Sequence, residues 1–367
     1  IVSQELSANQ NWTVDATPND GTEDGAVVRS NQLITLEDAT NSVPTIDTLI
    51  LNSTDLSNDT NQNITVYATT SDNDSDSVKV IYNWMVNDSS SPGPGKSITL
   101  LNMPFERING TDSDNAWDYS GNGNNGTEFA SPIWNSTGGI GGSGAYEFDG
   151  TDDQRIAVRD SESLDFANGK TYTFWFKRSS STANQHLIGK AKPETPYSGC
   201  VFRYDRASDD KVNIKCITDG GTTDVDLTSS TAISDSNWHF IAVDIDTTLT
   251  LYQDGVSVGT DTSHASSYTS GTNFSVGEQG WDWAGQPTDG TVDDVMIFNR
   301  SLSLEQIQAI FNNQTDLIVS QETTTGQNWT VDATPNDGTS DGASVRSNQL
   351  ITTDLTNSLP SVDILVL

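Results

Sequence analysis

The side chains in this sequence best equipped for chemistry are its acids, and most of them are the shorter kind. Of 51 acidic residues 40 are Asp, many beside Gly, Asn and Ser in stretches that read as turns. Short carboxylates in such turns are the ligands that hard cations such as Ca2+ prefer, and Asp72, Asp74 and Asp76 alternate through the loop 71–77. The same composition also suits an acidic, solvated surface that keeps a crowded protein soluble. Cys200 and Cys216 stand symmetrically about the turn 207–211, so on paired strands they face each other. They form either a cross-strand disulfide, which needs an oxidising compartment, or two buried thiols. The three histidines, His186, His239 and His264, lie apart, with no spacing of a zinc site or a catalytic triad. Trp281 and Trp283, in GEQGWDWAGQPTDG, either stack on sugar rings from an exposed loop or cover the end of a core.

The elements that hold these residues are short apolar runs separated by Thr, Ser, Asn and Gly, with 33% hydrophobic residues over 367. That pattern predicts an all-β chain of two or three domains with thin cores. A formal net charge of -34 sets nucleic acid aside as a partner and disfavours anionic membrane surfaces. No apolar run approaches the length of a membrane span, so no membrane contact is expected in this segment. Asn-x-Ser/Thr sequons stand at Asn11, Asn52, Asn58, Asn63, Asn73, Asn87, Asn109, Asn125, Asn135, Asn273, Asn299, Asn313 and Asn328. They are more frequent than composition supplies and point to a glycosylated extracellular protein of the cell surface.

One block occurs twice. QNWTVDATPNDGT begins at residue 10 and again at 327, and VRSNQLIT at 28 and again at 345, a spacing of 317 in both cases. A period that long fits a multi-domain module copied in tandem, not a solenoid unit. The same logic places half-domains at both ends: 1–40 closes a preceding domain, and 357–367 starts the first strand of the next.

From Pro44 the short strands 63–68 and 78–84 flank the acidic loop, and alternation puts Val78, Val80 and Tyr82 on one face with Ile81 and Trp84 on the other. IYNWMVND resembles the third strand of Ig-like domains of the PKD and cadherin-like type, with Trp84 at the core position. Such a domain needs further strands, which appear only in the second copy of the block. The expectation is an Ig-like sandwich built from 44–102 and 315–356 and interrupted by 103–314. In that fold the resemblance implies that Asp72, Asp74 and Asp76 gather with Asp337 and Asp341 at one pole, where a Ca2+ would relieve their repulsion.

The interrupting segment carries WDYSGNGNNGT at 117–127, AYEFDGTDDQRIAV at 145–158, TYTFWFKR at 171–178, NWHFIAVDID at 237–246, LTLYQDGVSVG at 249–259 and DGTVDDVMIFNRSLSLEQIQAIF at 289–311. In this order they resemble the laminin-G-like, concanavalin-A-like jelly-roll family over 103–314. The whole is thus expected to be a concanavalin-A-like jelly-roll sandwich inserted into an Ig-like β-sandwich, flanked by partial Ig-like repeats. The resemblance implies Ca2+ ligands at Asp118, Asn122 and Asn125, joined by Asp293 or Asp294. Local readings agree with the fold. Asp254-Gly255 is a two-residue hairpin turn, Ser303 and Gln306 make a capping box, and Leu304, Ile307, Ile310 and Phe311 form one helical stripe. Tyr172, Phe174 and Phe176 face one way and Trp175 the other.

Hydrolases of this fold use closely spaced Glu on one strand, and here the Glu residues are scattered, so no enzyme is expected. Two readings remain. One is a structural repeat of a fibre, stalk or sheath, with neighbouring repeats or identical subunits as partners, of a kind that resembles the repeats of very large archaeal surface proteins. The other is a Ca2+-dependent adhesin that binds glycans through Trp281 and Trp283.

Overall fold

In the computed structural model the described residues are 10–34, 41–88, 95–106, 116–151, 153–179, 184–192, 195–204, 209–277 and 286–354. They fall into two units, Ile1–Ser42 and Val43–Leu367. The expected strand at 357–367 lies outside the described residues.

Among the described residues the larger unit is all-β apart from one α-helix and short 3-10 turns. Its central part is two facing antiparallel sheets. One runs Gly126–Phe129, Arg155–Val158, Phe274–Gly277, Gln185–Lys192, Ser198–Tyr204, Lys211–Ile217, Thr223–Ala232. The other runs Ile133–Asn135, Ala145–Asp149, Asp289–Phe298, Lys170–Arg178, His239–Ile245, Leu249–Gln253, Val256–Asp261. Period-two alternation aims Tyr172, Phe174 and Phe176 between the sheets with Phe202, Ile214 and Val243, while Trp175 points outward. Asp254 and Gly255 both have positive φ, 51° and 73°, as a tight hairpin with right-handed strand twist requires.

The remaining strands form a second sandwich from two distant parts of the chain. Lys79–Asp88 pairs along all ten residues with Gln327–Asn336, and Thr45–Ser53 pairs with Ile64–Ser71, whose other edge takes Leu317–Ile318. Trp84 and Trp329 meet edge to face at 6.3 Å in its interior. Trp84 shares its face with Tyr82 and Val86, not with Ile81 as the sequence reading has it. Ile81, Asn83 and Met85 are buried too, because this strand is covered on both sides.

The two sandwiches are not separate beads. The second core contains Trp175, Phe240, Met296 and Phe298 from the outer face of the jelly roll, alongside Leu51, Val66, Trp84, Trp329 and Val331. Helix Leu304–Phe311 fills the junction with Ile307 and Ile310. Its N-cap forms as expected, Ser303 Oγ accepting Gln306 N–H at 3.2 Å, but Gln306 does not reach back to complete a box. Gln306 is buried and bridges to the returning chain, donating to Leu317 O and accepting from Val319 N–H, while Glu322 takes the Ser303 N–H. Leu304, expected on the apolar stripe, is exposed.

The division expected at 102/103 falls several residues earlier. Lys96–Ser97 pairs with Met85 and Val86, and after Ile98 the strand Thr99–Met103 crosses to the jelly roll and pairs with Val295–Phe298. The strands by which the chain enters and leaves the jelly roll therefore lie side by side in one sheet.

In the smaller unit, residues 10–34 form a narrow double ladder, Asn11–Trp12 with Leu33–Ile34 and Asp15–Ala16 with Val28–Arg29, fastened by a bidentate Arg29–Asp15 pair at 2.6 and 2.7 Å.

Gly342 sits where only glycine fits. A Cβ there would lie 1.8 Å from Pro44 O, at the point where the closing part of the second sandwich touches its beginning. Gly342→Ala is expected to cost about 2 kcal/mol or more in denaturant unfolding, the range for forced overpacking against immovable backbone. Gly25→Ala, at the equivalent repeat position, meets the Pro18 ring and no carbonyl so close, and should cost clearly less.

Candidate functional site

The acidic loop winds around its own first carboxylate. Asp72 Oδ1 accepts the N–H groups of Asp74 and Asp76 at 3.0 and 3.3 Å, and Ser75 takes a left-handed φ of 71° to allow it. Among the described residues, Asp72, Asp74 and Asp76 are the acids whose oxygens converge, all within 4.8 Å. The facing Asp74 carboxyl raises the Asp72 pKa, with desolvation adding to it, and no N–H or O–H donates to the shielded Oδ2 of Asp72. Three converging carboxylate oxygens suit the start of a hard-cation shell, which needs six to eight oxygens.

The other two acids expected at this pole do not join them. Asp337 takes Thr339 N–H, Thr339 Oγ and Ser340 N–H at 2.7 to 2.8 Å in a turn of its own. Its side of the loop and Asp76 do line one open cleft of about 460 Å3, together with Lys79, Glu106, Ser143 and Asn336. Asp341 is engaged elsewhere, accepting from Tyr119 OH at 2.9 Å and from Asn336 Nδ2 at 2.7 Å. Burial raises its pKa, and burial with this carboxylate pushes Tyr119 well up.

The glycine-punctuated loop of the jelly roll does not fit the cation the resemblance implies. A carboxylate offers about four lone-pair directions. All four of Asp118 are filled by protein donors: Asn102 N–H and Ser120 N–H on Oδ1, Ser120 Oγ and Asn124 N–H on Oδ2, at 2.8 to 3.0 Å. Asn125 Oδ1 accepts Asp118 N–H, and Asn122 turns its amide nitrogen to Thr99 O and Leu100 O. The loop is a clasp that ties itself to strand Thr99–Met103.

Asp293 and Asp294 serve a different junction. Strand Asp289–Phe298 pairs with Ala145–Asp149 up to Val292 and with Thr99–Met103 from Val295, so these two acids occupy the seam where the partner changes. Asp294 has φ 46°, and Asp293, fully buried, accepts Ile140 N–H at 2.9 Å and Asp294 N–H at 2.7 Å. Lys79 of the second sandwich reaches Glu106 at 2.8 Å and Asp294 at 3.4 Å. Burial pulls its ammonium down, but Asp294, Glu106 and Asp293 outweigh that and hold it above the ordinary lysine range. Burial, then the Asp294 charge, pushes the Asp293 carboxyl well up.

A polar ladder across the outer face of the seven-stranded sheet escaped the sequence reading. Arg203 donates from Nε and Nη2 to Asn213 Oδ1 at 3.0 and 2.5 Å and from Nη2 to Asp226 at 3.1 Å, and Asn213 donates on to Asp226 and Thr228. His186 stands opposite Arg203 in register. The signal was alternation: Arg203 lies between Phe202 and Tyr204, which point into the core. On the inner face of the same sheet Cys200 and Cys216 are opposite one another and disulfide-bonded, fully buried. Trp281, Trp283 and the sequon at Asn109 lie outside the described residues. Of the other sequons, Asn11, Asn73, Asn273, Asn299 and Asn313 are exposed. Asn52, Asn58, Asn63, Asn87, Asn125 and Asn135 are half-buried. Asn328 is buried in the ladder of the second sandwich, where a glycan has no room.

Residues 149–308 match the family described as the concanavalin A-like lectin/glucanases superfamily. This stretch is a concanavalin-A-like lectin/glucanase domain. The match lies within the two-sheet jelly roll and the helix that follows it. Among solved structures, the binding domain of Paraclostridial Mosquitocidal Protein 1 is similar at 16% identity and TM-score 0.45, over 59% of this chain and 52% of that one. Domain 4 of AbnA, a GH43 extracellular arabinanase from Geobacillus stearothermophilus in complex with arabinotriose, is similar at 18% identity and TM-score 0.40, over 58% of this chain and 97% of that one. The binding domain of Botulinum Neurotoxin DC in complex with SialylT is similar at 14% identity and TM-score 0.44, over 59% and 51%. The chain spans about half the length of the mosquitocidal and neurotoxin domains. No curated protein matches the sequence. Among the described residues no helix is long and apolar enough to cross a membrane.

Inside the concanavalin-A-like domain, burial and then the Arg203 charge pull His186 down to about 3. The unfolded chain takes up this proton near pH 6.5 and the folded one does not, so the stability is present above 6.5 and lost as pH falls. Between pH 7 and 4 the loss is about 3 kcal/mol. His239, raised first by its hydrogen bond to Asp254 against desolvation, acts in the opposite sense, losing its contribution as pH rises through its folded pKa. The rise of unfolding free energy with pH below the ordinary histidine value of 6.5 should therefore flatten in His186→Gln, and part of its decline above that value should disappear in His239→Gln. An unchanged slope in His186→Gln would contradict the assignment.

Proposed function

We propose that the chain is a structural repeat of an extracellular surface fibre, stalk or sheath, in which the concanavalin-A-like domain is inserted into an Ig-like sandwich. It acts through shape, without catalysis, and its partners are neighbouring repeats of the same chain or identical subunits. The observation that carries this reading is the shared second core, in which Trp175 and Phe298 of the jelly roll pack with Trp84 and Trp329 of the split sandwich. A module whose two parts share a core cannot hinge between them, and stiffness is what a spacer needs. The block recurring 317 residues on supplies the second requirement, one unit used again and again. A buried disulfide and an acidic surface suit an oxidising, extracellular setting.

Polypeptides of one, two and three periods test it. Electron micrographs should show particles that lengthen by one constant increment per period; compact particles of unchanged length would overturn the reading.

In this account Asp72, Asp74 and Asp76 hold a Ca2+ that offsets their mutual repulsion and stiffens the loop. At about 100 times the dissociation constant such an ion adds about 2.7 kcal/mol, or about 4 °C in melting temperature for a cooperative unit of this size. Addition of Ca2+ to chelator-treated protein should produce that rise and Asp74→Asn should remove it; no shift in the parent protein would exclude the site.

A second reading, glycan adhesion, is favoured by the lectin/glucanase description of residues 149–308 alone. Glycan-array binding that needs Ca2+ and is lost in Trp281→Ala would support it over the spacer role.

A further inference from the structure

The two copies of the repeated block have one internal structure in two different surroundings. Asn11 opposes Ile34 as Asn328 opposes Ile351, and Asp15 opposes Arg29 as Asp332 opposes Arg346. The Asn19–Asp24 side-chain bond at 2.7 Å has its twin in Asn336–Asp341 at 2.7 Å. Ser30 Oγ accepts Val14 N–H at 2.9 Å as Ser347 Oγ accepts Val331 N–H at 3.0 Å. The first copy thus already has the shape of the second, although its apolar residues stand exposed.

What differs is the apolar face and the strand edge. Val331 is 0% exposed and Leu350 3%, whereas their counterparts Val14 and Leu33 are 59% and 61% exposed. Trp329 is fully buried and Trp12 only half. Gln327–Asn336 is one continuous strand because Lys79–Asp88 pairs with it, while the first copy shows only the short strands Asn11–Trp12 and Asp15–Ala16. Asn348 clasps Leu51 through both amide atoms at 2.8 and 2.9 Å, and its counterpart Asn31 is exposed. Gly342 makes room for Pro44 O, and Gly25 stands at the equivalent position with no carbonyl pressed against it.

We propose that hairpin 10–34 is a preformed plug whose partner is a further copy of the half-sandwich 45–88, carried upstream in the same polypeptide. Each feature of the plug matches a feature of that half as it is seen here holding the second copy. The open edge takes the ladder, Trp12 and Val14 enter the core beside a Trp84, and Asn31 caps a Leu51 backbone. The proposal rests on the structural-repeat reading only in placing the partner upstream. It names the joint between successive modules: each repeat begins by closing the one before it.

The test uses the intact chain and a tandem in which residues 43–317 precede residues 1–367, since positions 1 and 318 are equivalent in the repeat. The thiol introduced by Val14→Cys should react quickly with a soluble thiol reagent in the single chain and about 100-fold more slowly in the tandem, as a buried position does. In the tandem, Thr13→Cys with upstream Met85→Cys should also oxidise to a disulfide between those two positions, because Thr330 lies opposite Met85. Equal labelling in both polypeptides, slow labelling already in the single chain, or absence of that engineered disulfide would each overturn the proposal. None of these readouts depends on particle length, so the joint and the spacer role can fail separately.

Discussion

The structure of residues 43–354 depends on the antiparallel ladder between Lys79–Asp88 and Gln327–Asn336. These strands are separated by a complete jelly roll, and bringing such distant residues together carries a loop-closure cost that rises with the logarithm of length. The fold avoids most of it. Thr99–Met103 and Val295–Phe298 are neighbours within the jelly-roll sheet, so once that domain has formed, the chain ends leaving it are already adjacent. The ladder then closes two connections far shorter than the jelly roll, residues 89–98 on one side and 299–326 on the other, with Trp84 Nε1 donating to Thr315 O.

From this geometry the polar chemistry of the junction follows. Where one edge of Asp289–Phe298 exchanges one partner strand for another, that edge has no continuous ladder, and the Asp293 carboxylate takes the Ile140 and Asp294 N–H groups in its place. Their charge, with that of Glu106, is met by Lys79 from the second sandwich. Buried charge of this kind contributes little net stability against an apolar alternative but is costly to leave unpaired, so it fixes register and excludes misalignment. The apolar side of the same junction, with Met296, Phe298, Ile307 and Ile310, supplies the burial that holds the two sandwiches together.

Much of this was legible from local pattern. Strand alternation separated Tyr172, Phe174 and Phe176 from Trp175, Asp254-Gly255 marked its turn, and Ser303 marked the helix start, because each signal resides within a few residues. The missing parts are those in which identity does not reveal the partner. Asp, Asn and Gly in 117–127 serve a cation loop and a self-clasped turn equally well, and only the positions of Asn102 and Ser120 show that the lone pairs of Asp118 are taken. Periodicity marks Trp175 as outward-facing without saying that a second sandwich awaits it. Gln306 reads as a capping residue until Leu317 and Val319 are seen to claim it. Asp341 reads as one of five acids at a pole until Tyr119 is found against it.

Heat capacity measured through thermal unfolding of the oxidised chain examines the fusion of the two sandwiches most directly. A shared core and a common polar seam require one cooperative transition for residues 43–354, with calorimetric and van't Hoff enthalpies in agreement. Two resolved transitions, the jelly roll melting independently of the strands around Trp84 and Trp329, would contradict it.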